Sequence, residues 1–228
     1  MQELLEKGLV GILGYGEDQT ILFLTGLVCA VICYLIGSIN FAVIVSRRMY
    51  ADDVRNHGSG NAGSTNMLRT FGAKAGALTF CGDFLKSVFA TVLGLVAMPF
   101  YTGFAFVAGL ACLIGHAWPV FFGFRGGKCV ASLAGVVLVL NPPAWILLFL
   151  VFVIVVAIWR YVSVASMVGA LLIPIFNILM PFWFVPQPPI ATVCTLLMAV
   201  LVCFLHRKNI VRLYHGEESK LSFGKKHE

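Results

Sequence analysis

Charge is what this chain has least of. Only 11% of its 228 residues are Asp, Glu, Lys or Arg, against 60% hydrophobic, and the mean hydropathy is +0.94. Soluble domains carry about 25% charged residues, so a water-soluble globule is excluded and an integral membrane protein is expected. Metal-binding and redox signatures are also missing. The seven cysteines (29, 33, 81, 112, 129, 194 and 203) form no CxxC pair and no Cys/His cluster at ligand spacing. They read as small buried hydrophobes, and neither disulfides nor any metal site is expected. The first twenty residues carry Glu3, Glu6, Glu17 and Asp18 and lack a basic start, so no cleaved leader is expected. No internal repeat and no separate soluble stretch divides the chain, which reads as a single membrane-embedded domain over residues 1–228.

What is present is a series of apolar segments near 20–46, 73–100, 101–117, 128–140, 144–160, 163–181 and 188–206. A helix needs roughly 20 apolar residues to cross about 30 Å of hydrocarbon, and the fourth segment, "KCVASLAGVVLVL", is short of that. Charge argues for keeping it. With seven crossings and the N-terminus outside, residues 47, 48, 55, 69, 74, 125, 128, 160, 207, 208, 212, 220, 225 and 226 share one side. That is 14 of the 16 basic residues, leaving Lys7 outside and Lys86 within a span, and such an excess marks the cytoplasmic side. The expected fold is therefore all-α: seven transmembrane helices, N-terminus outside, C-terminus cytoplasmic. The outer connections "NPPA" and "PFWFVPQPP" are uncharged and proline-rich, as turns should be.

The polar chemistry gathers on the same inner side. Residues 57–72, "HGSGNAGSTNMLRTFG", mix four glycines with Ser59, Asn61, Ser64, Thr65, Asn66 and Arg69. Glycine lets backbone N–H groups converge on an anion, and arginine offers a fork that matches phosphate. GxxxxGK[ST] is absent, so this is no Walker loop. Taken alone, the stretch also fits a flexible loop. A second loop, "GHAWPVFFGFRGGKCVAS" (115–132), sets His116, Arg125 and Lys128 around Gly126-Gly127 at the start of a helix. Helix N-termini favour anions. Interfacial anchoring would account for Arg125 and Lys128 and a hydrogen bond at a span end for His116, but neither accounts for the glycine pair. A third stretch, "HRKNIVRLYHGEE" (206–218), places His206 and Asn209 on one helical face; a plain basic helix at the membrane surface would look similar. Asp83 and Lys86 lie three apart inside a span, either neutralising each other or serving function. Ser163 and Ser166 lie at the inner end of the sixth segment.

Together these three stretches, with "YLIGSINFAVIVSR" before them, resemble the bacterial membrane acyl-phosphate:glycerol-3-phosphate acyltransferase family over nearly the whole chain. The family motifs read GSGNxGATNxxR, GHxxPxFxxFxGGKG and HRxNIxRLxxGxE. This chain departs from them in having Asn40 for proline, Ser64 for alanine, Cys129 for the glycine after Lys128, and Ser132 for threonine. The resemblance implies transfer of a long acyl chain from acyl phosphate to the sn-1 hydroxyl of glycerol 3-phosphate, giving lysophosphatidic acid and phosphate, the first acylation of phospholipid synthesis. It implies Lys128, Ser59, His206 and Asn209 as catalytic, and Asn61, Thr65, Asn66, Arg69, His116, Gly126, Gly127, Ser163 and Ser166 as substrate-binding. It further implies no cofactor, no metal and no nucleic acid, with membrane lipids as surroundings and the active site on the cytoplasmic face of the bacterial plasma (inner) membrane. Acyl-chain preference, oligomeric state and the identity of the general base are left open. The HxxxxD pattern of the other acyltransferase class is absent, since Ala62, Phe121, Val211 and Lys220 stand five residues after the first four histidines. A transporter would place its polar groups near the bilayer midplane, often in paired repeats, and a scaffold would not need the Gly/Asn-rich pattern.

Overall fold

The structure, a computed structural model, describes residues 18–98, 101, 103–179 and 188–221. Every regular element among them is helical. Asp18 starts α1 (Gln19–Gly37) by accepting the Thr20 and Ile21 N–H groups at 2.8 and 3.2 Å. A break at Ser38–Asn40 turns the chain into α2 (Phe41–Tyr50). Asn40, where the family motif has proline, caps α2 with its side-chain oxygen 3.1 Å from the Val43 N–H. The first motif loop follows and runs into the short α3 (Ser64–Phe71) and the long α4 (Ala73–Ala97).

Next come α5 (Gly103–Ala117), the second motif loop, α6 (Val130–Leu140), α7 (Pro142–Trp159) and α8 (Val162–Leu179). The turn between α6 and α7 has a clear cause. Asn141 accepts the Ala144 N–H at 3.0 Å, and prolines occupy the first helical positions of α7, where a missing N–H costs nothing. Finally, α9 (Pro189–Leu205) bends by 54° at His206 into α10 (Arg207–Tyr214).

The chain is an all-helical, multi-pass integral membrane protein. Five helical stretches are long and apolar enough to cross: 19–50, 73–97, 103–122, 142–159 and 162–179; a sixth follows if α9 and α10 count together. The fourth segment of the sequence reading forms an 11-residue helix, which rises only about 16 Å at 1.5 Å per residue. It is nonetheless well packed, with Leu133, Val136, Val137 and Leu140 in the main apolar core beside Phe106, Leu113, Met198 and Val202. The outer ends expected for residues 1–17, and most of the outer connection "PFWFVPQPP", lie outside the described residues. Large apolar side chains such as Phe23, Leu85, Phe89, Ile158 and Val200 face outward. In lipid such a surface is matched to its solvent, whereas in water it would mark an interaction patch.

Candidate active site

The three motif stretches form the walls of one cavity of about 290 Å³. Its polar lining includes Ser59, Asn61, Thr65 and Arg69 from the first stretch, His116 and Lys128 from the second, and His206, Asn209 and Arg212 from the third. Ser163, Ser166 and Glu218 also line it, as do Ser64, Asn66 and Asp83. Two helices point their N-termini inward: Gly63, Ser64 and Thr65 open α3 onto the cavity, and Cys129, Val130 and Ala131 open α6. Neither N-cap makes a side-chain hydrogen bond. The first N–H groups of a helix lack internal partners and carry partial positive charge, so both ends are suited to an anion.

Asn66 builds the loop rather than facing the cavity with free groups. Its buried amide donates to the carbonyls of Val54, His57 and Asn61 at 3.1, 3.0 and 3.1 Å and accepts the Ser59 N–H at 3.1 Å. Every polar atom of Asn66 thus has a partner within the loop, and the residue is also part of the cavity wall. Arg55 ties the first loop to the second by donating to the Phe122 carbonyl at 2.7 Å, while ion-paired to Asp53 at 2.8 Å. Arg55's hydrogen bonds hold the Asp53 carboxyl well below the usual carboxylate range, so the clip stays charged.

Gly126 and Gly127 likewise serve the fold. Their N–H groups donate to the carbonyls of Ala117 and His116, each at 3.2 Å, and neither residue faces the cavity. Direct substrate contact by this pair, expected from the sequence, gives way to close packing. A Cβ on Gly126 would strike the His116 carbonyl, and one on Gly127 the His116 ring. The glycines let the second loop fold back on the end of α5. Arg125 is exposed and lies off the cavity. Cys129, where the family has glycine, adopts φ 65° and ψ 3° in the left-handed region, at roughly 1–2 kcal/mol for a residue with a Cβ. Its buried thiol donates to the Leu113 carbonyl at 3.2 Å.

At the centre, Lys128 Nζ donates to Asn209 Oδ1 at 2.6 Å. Asn209 passes the connection on, its amide donating to Glu218 Oε1 at 2.7 Å. Glu218 also accepts from the Ser163 hydroxyl at 2.7 Å and from Arg212 Nε at 2.8 Å. Burial pushes the Glu218 carboxyl up, but these donors and the Arg212 charge outweigh it and hold it below the ordinary glutamate value. Burial likewise pushes Lys128 down to about 8, with Arg212 and Arg69 adding to the shift and Glu218 opposing it. Ser166 is committed elsewhere, donating to Val162 at 2.7 Å. His206 Nδ1 lies 2.8 Å from the Val202 carbonyl. A carbonyl can only accept, so Nδ1 carries hydrogen and the neutral ring's acceptor is Nε2.

Glu218 and Arg212 are the groups that the sequence reading left out of the site. Both stand in the third stretch, at the second arginine and the closing glutamate of the motif HRxNIxRLxxGxE; Arg212 is three residues after Asn209 on the helix, and Glu218 lies beyond it. Beside the polar cavity lies an apolar one of about 370 Å³, with Leu133, Trp145, Leu148, Phe149 and Ile173 among its walls. The two share Phe80, Val130, Phe152 and Ser166, so a charged head and an attached hydrocarbon chain could be held at once. Among the described residues no group of His, Cys, Asp and Glu side chains could hold a metal ion.

Proteins of known activity share this chain's sequence and shape. A glycerol-3-phosphate acyltransferase of Clostridioides difficile is 41% identical over 199 residues, covering 86% of this chain and 95% of that one. The corresponding protein of Thermoanaerobacter pseudethanolicus is 43% identical over 192 residues, 84% and 93% of the two chains. Two crystal structures of PlsY, an integral membrane glycerol 3-phosphate acyltransferase, superpose on it. The glycerol 3-phosphate form gives a TM-score of 0.80 at 34% identity over 86% of this chain and 96% of that one. The lysophosphatidic acid form gives 0.77 at 32% over 86% and 95%. Residues 27–216 match the family model for glycerol-3-phosphate acyltransferase, and by that match and these relatives the chain belongs to the membrane-embedded glycerol-3-phosphate acyltransferase family.

Proposed function

We propose that this enzyme uses acyl phosphate to acylate the sn-1 hydroxyl of glycerol 3-phosphate. The observation that carries this reading is the joint cavity: Arg69, Lys128 and Arg212 with two uncapped helix N-termini on one side, and a contiguous apolar chamber on the other. Both substrates bring phosphate, and the donor brings an acyl chain. The glycerol 3-phosphate and lysophosphatidic acid forms of PlsY support the same pair of ligand chemistries.

Acyl phosphate is a mixed anhydride and already activated, so no protein nucleophile is needed. The sn-1 oxygen attacks the carbonyl carbon, the carbon–oxygen bond to phosphate breaks, and inorganic phosphate leaves with the bonding pair. Orientation and stabilisation of the departing charge are what the protein supplies. Lys128 lies beside the leaving phosphate. Arg69, Ser59, Asn61 and Thr65 hold phosphate oxygens, with Arg212 as a third cation. His206 and Asn209 orient the glycerol phosphate, and a substrate phosphate oxygen accepts the single proton of the attacking hydroxyl. Ser163 and Glu218 hold Asn209 and Arg212 in place. The acyl chain lies in the chamber bounded by Trp145, Leu148 and Ile173.

The topology belongs to the same proposal. Seven crossings, with α6 as a short one, keep all three motif stretches on the cytoplasmic face of a bacterial plasma membrane.

The donor decides the reading. Purified protein with labelled glycerol 3-phosphate should form lysophosphatidic acid from acyl phosphate, and little or none from acyl-CoA or acylated carrier protein. Efficient use of acyl-CoA with no response to acyl phosphate would overturn the donor assignment.

A further inference from the structure

A charged cluster lies buried in the helical bundle, and two of its members, Asp83 and His116, also line the polar cavity. Asp83 and Lys86 stand one turn apart on α4, and His116 is near the end of α5; they are 1%, 6% and 3% exposed. Ionisable groups at such depth are costly. A pair that only neutralised itself would need one contact, yet the Lys86 ammonium makes three. Its Nζ donates to Asp83 Oδ1 at 2.7 Å, to the Ile39 carbonyl at the break between α1 and α2 at 2.6 Å, and to His116 Nδ1 at 3.0 Å.

An ammonium has three hydrogens and no lone pair. Nδ1 of His116 must therefore accept, and the neutral ring then carries its hydrogen on Nε2. Asp83 Oδ1 lies farther from the same Nδ1, at 3.4 Å, against 3.0 Å for the ammonium. Nε2, on the far edge of the ring, lies beside Gly127, which has no side chain to cover it. His116 is also a wall residue of the polar cavity, together with Ser59, Asn61 and Lys128.

We infer that Asp83 and Lys86 are positioning residues that hold His116 in a single tautomer, with Nε2–H as a donor to a phosphate-bearing substrate. The opposite tautomer would turn a lone pair toward a phosphate oxygen and repel it. Asp83 holds Lys86 Nζ in place, and the Ile39 carbonyl ties the arrangement to the start of α2. The inference rests on the proposal that the cavity takes phosphate, but it concerns a proton that can be observed without turnover.

The test is nitrogen NMR of protein labelled at histidine and held in lipid nanodiscs near neutral pH, with the His116 signals identified by their loss in His116→Asn. The expected wild-type result is a neutral ring with hydrogen on Nε2. An imidazolium, a Nδ1–H ring or a mixture of tautomers in the wild type would overturn the inference, whatever the variants do. In the charge-free pair Asp83→Asn with Lys86→Met, a mixture should appear, and KM for glycerol 3-phosphate or acyl phosphate should rise by the inverse of the fraction of rings left with hydrogen on Nε2, about twofold for an even mixture. The kcat should change less, because contact with substrate in both ground and transition states acts on KM. A purely structural role predicts the reverse, a kcat reduced with the folded fraction and both KM values unaltered, and that result would also sink the idea. Wild-type protein with no acyltransfer but with the expected tautomer would refute the proposed reaction alone.

Discussion

Lys128 combines two properties that a single residue rarely has, a central place in the cavity and a charge that is easily lost. Burial lowers it to about 8, and Arg212 and Arg69 act in the same direction. The protonated form is the one that offsets phosphate charge, so kcat/KM should fall as pH rises through about 8. Bound phosphate favours the ammonium, so kcat should hold to higher pH than kcat/KM. Lys128→Arg should remove the alkaline fall, because a guanidinium stays charged. Lys128→Gln should lose about a hundredfold to a thousandfold in rate, as expected for a transition-state donor, with no alkaline limb in what remains. A pH series of initial rates on the three proteins checks this; an unmoved limb in Lys128→Arg would assign it to another group.

Among the elements, the second loop and α6 depend most on close approach. Gly127 is buried where its Cβ position is filled by the His116 ring and, at 2.7 Å, the Ala62 carbonyl. His116 is a wall residue of the site and Ala62 stands in the first motif, so Gly127→Ala must move the loop, the ring or that motif. Overpacking of this kind costs about 1–3 kcal/mol. The expected outcome is a lower unfolding temperature in detergent together with at least a tenfold fall in kcat/KM. Unchanged thermal stability and kinetics would show that the loop yields freely and that its packing does not position the site. Cys129, two residues on, shows the same element tolerating strain: its left-handed backbone is held by complete burial and the bond to Leu113.

For the whole molecule, the distribution of charge implies an orientation. Reporter fusions after residues 60, 125 and 215 should read cytoplasmic, and fusions near 142 and 186 should read external. The chain between 125 and 142 contains only α6, so this pair tests the short crossing directly. A cytoplasmic signal at 142 or at 186 would remove the seven-crossing arrangement and with it the common active face. The same chain segment explains why the sequence and the helices count differently. Eleven residues cannot span about 30 Å of hydrocarbon as a helix, while the seven-crossing proposal counts a reversal there from the alternation of basic and uncharged connections.

Membrane residence, helical class and the three polar stretches were determined by the sequence by itself. Hydropathy and the need to satisfy backbone groups inside lipid leave helices as the solution for apolar segments of this length. Motif spacing was enough to bring Ser59, Arg69, Lys128, His206 and Asn209 to notice, because glycine, amide and cation clusters are rare in an otherwise uncharged chain. Only the tertiary structure decided what each one does there. Asn66 and the Gly126-Gly127 pair carry the same residue types as ligands, yet their hydrogen bonds are used by the loops. Glu218 joined the site because the chain beyond α10 folds back, with the Leu221 N–H bonded to the Arg160 carbonyl at 2.8 Å. The Asp83, Lys86 and His116 cluster joins two helices and the α1–α2 break that sequence separation keeps apart. Local pattern reports which groups a segment offers; which of them remain free for a substrate depends on partners brought in from elsewhere in the chain, and only packing supplies those.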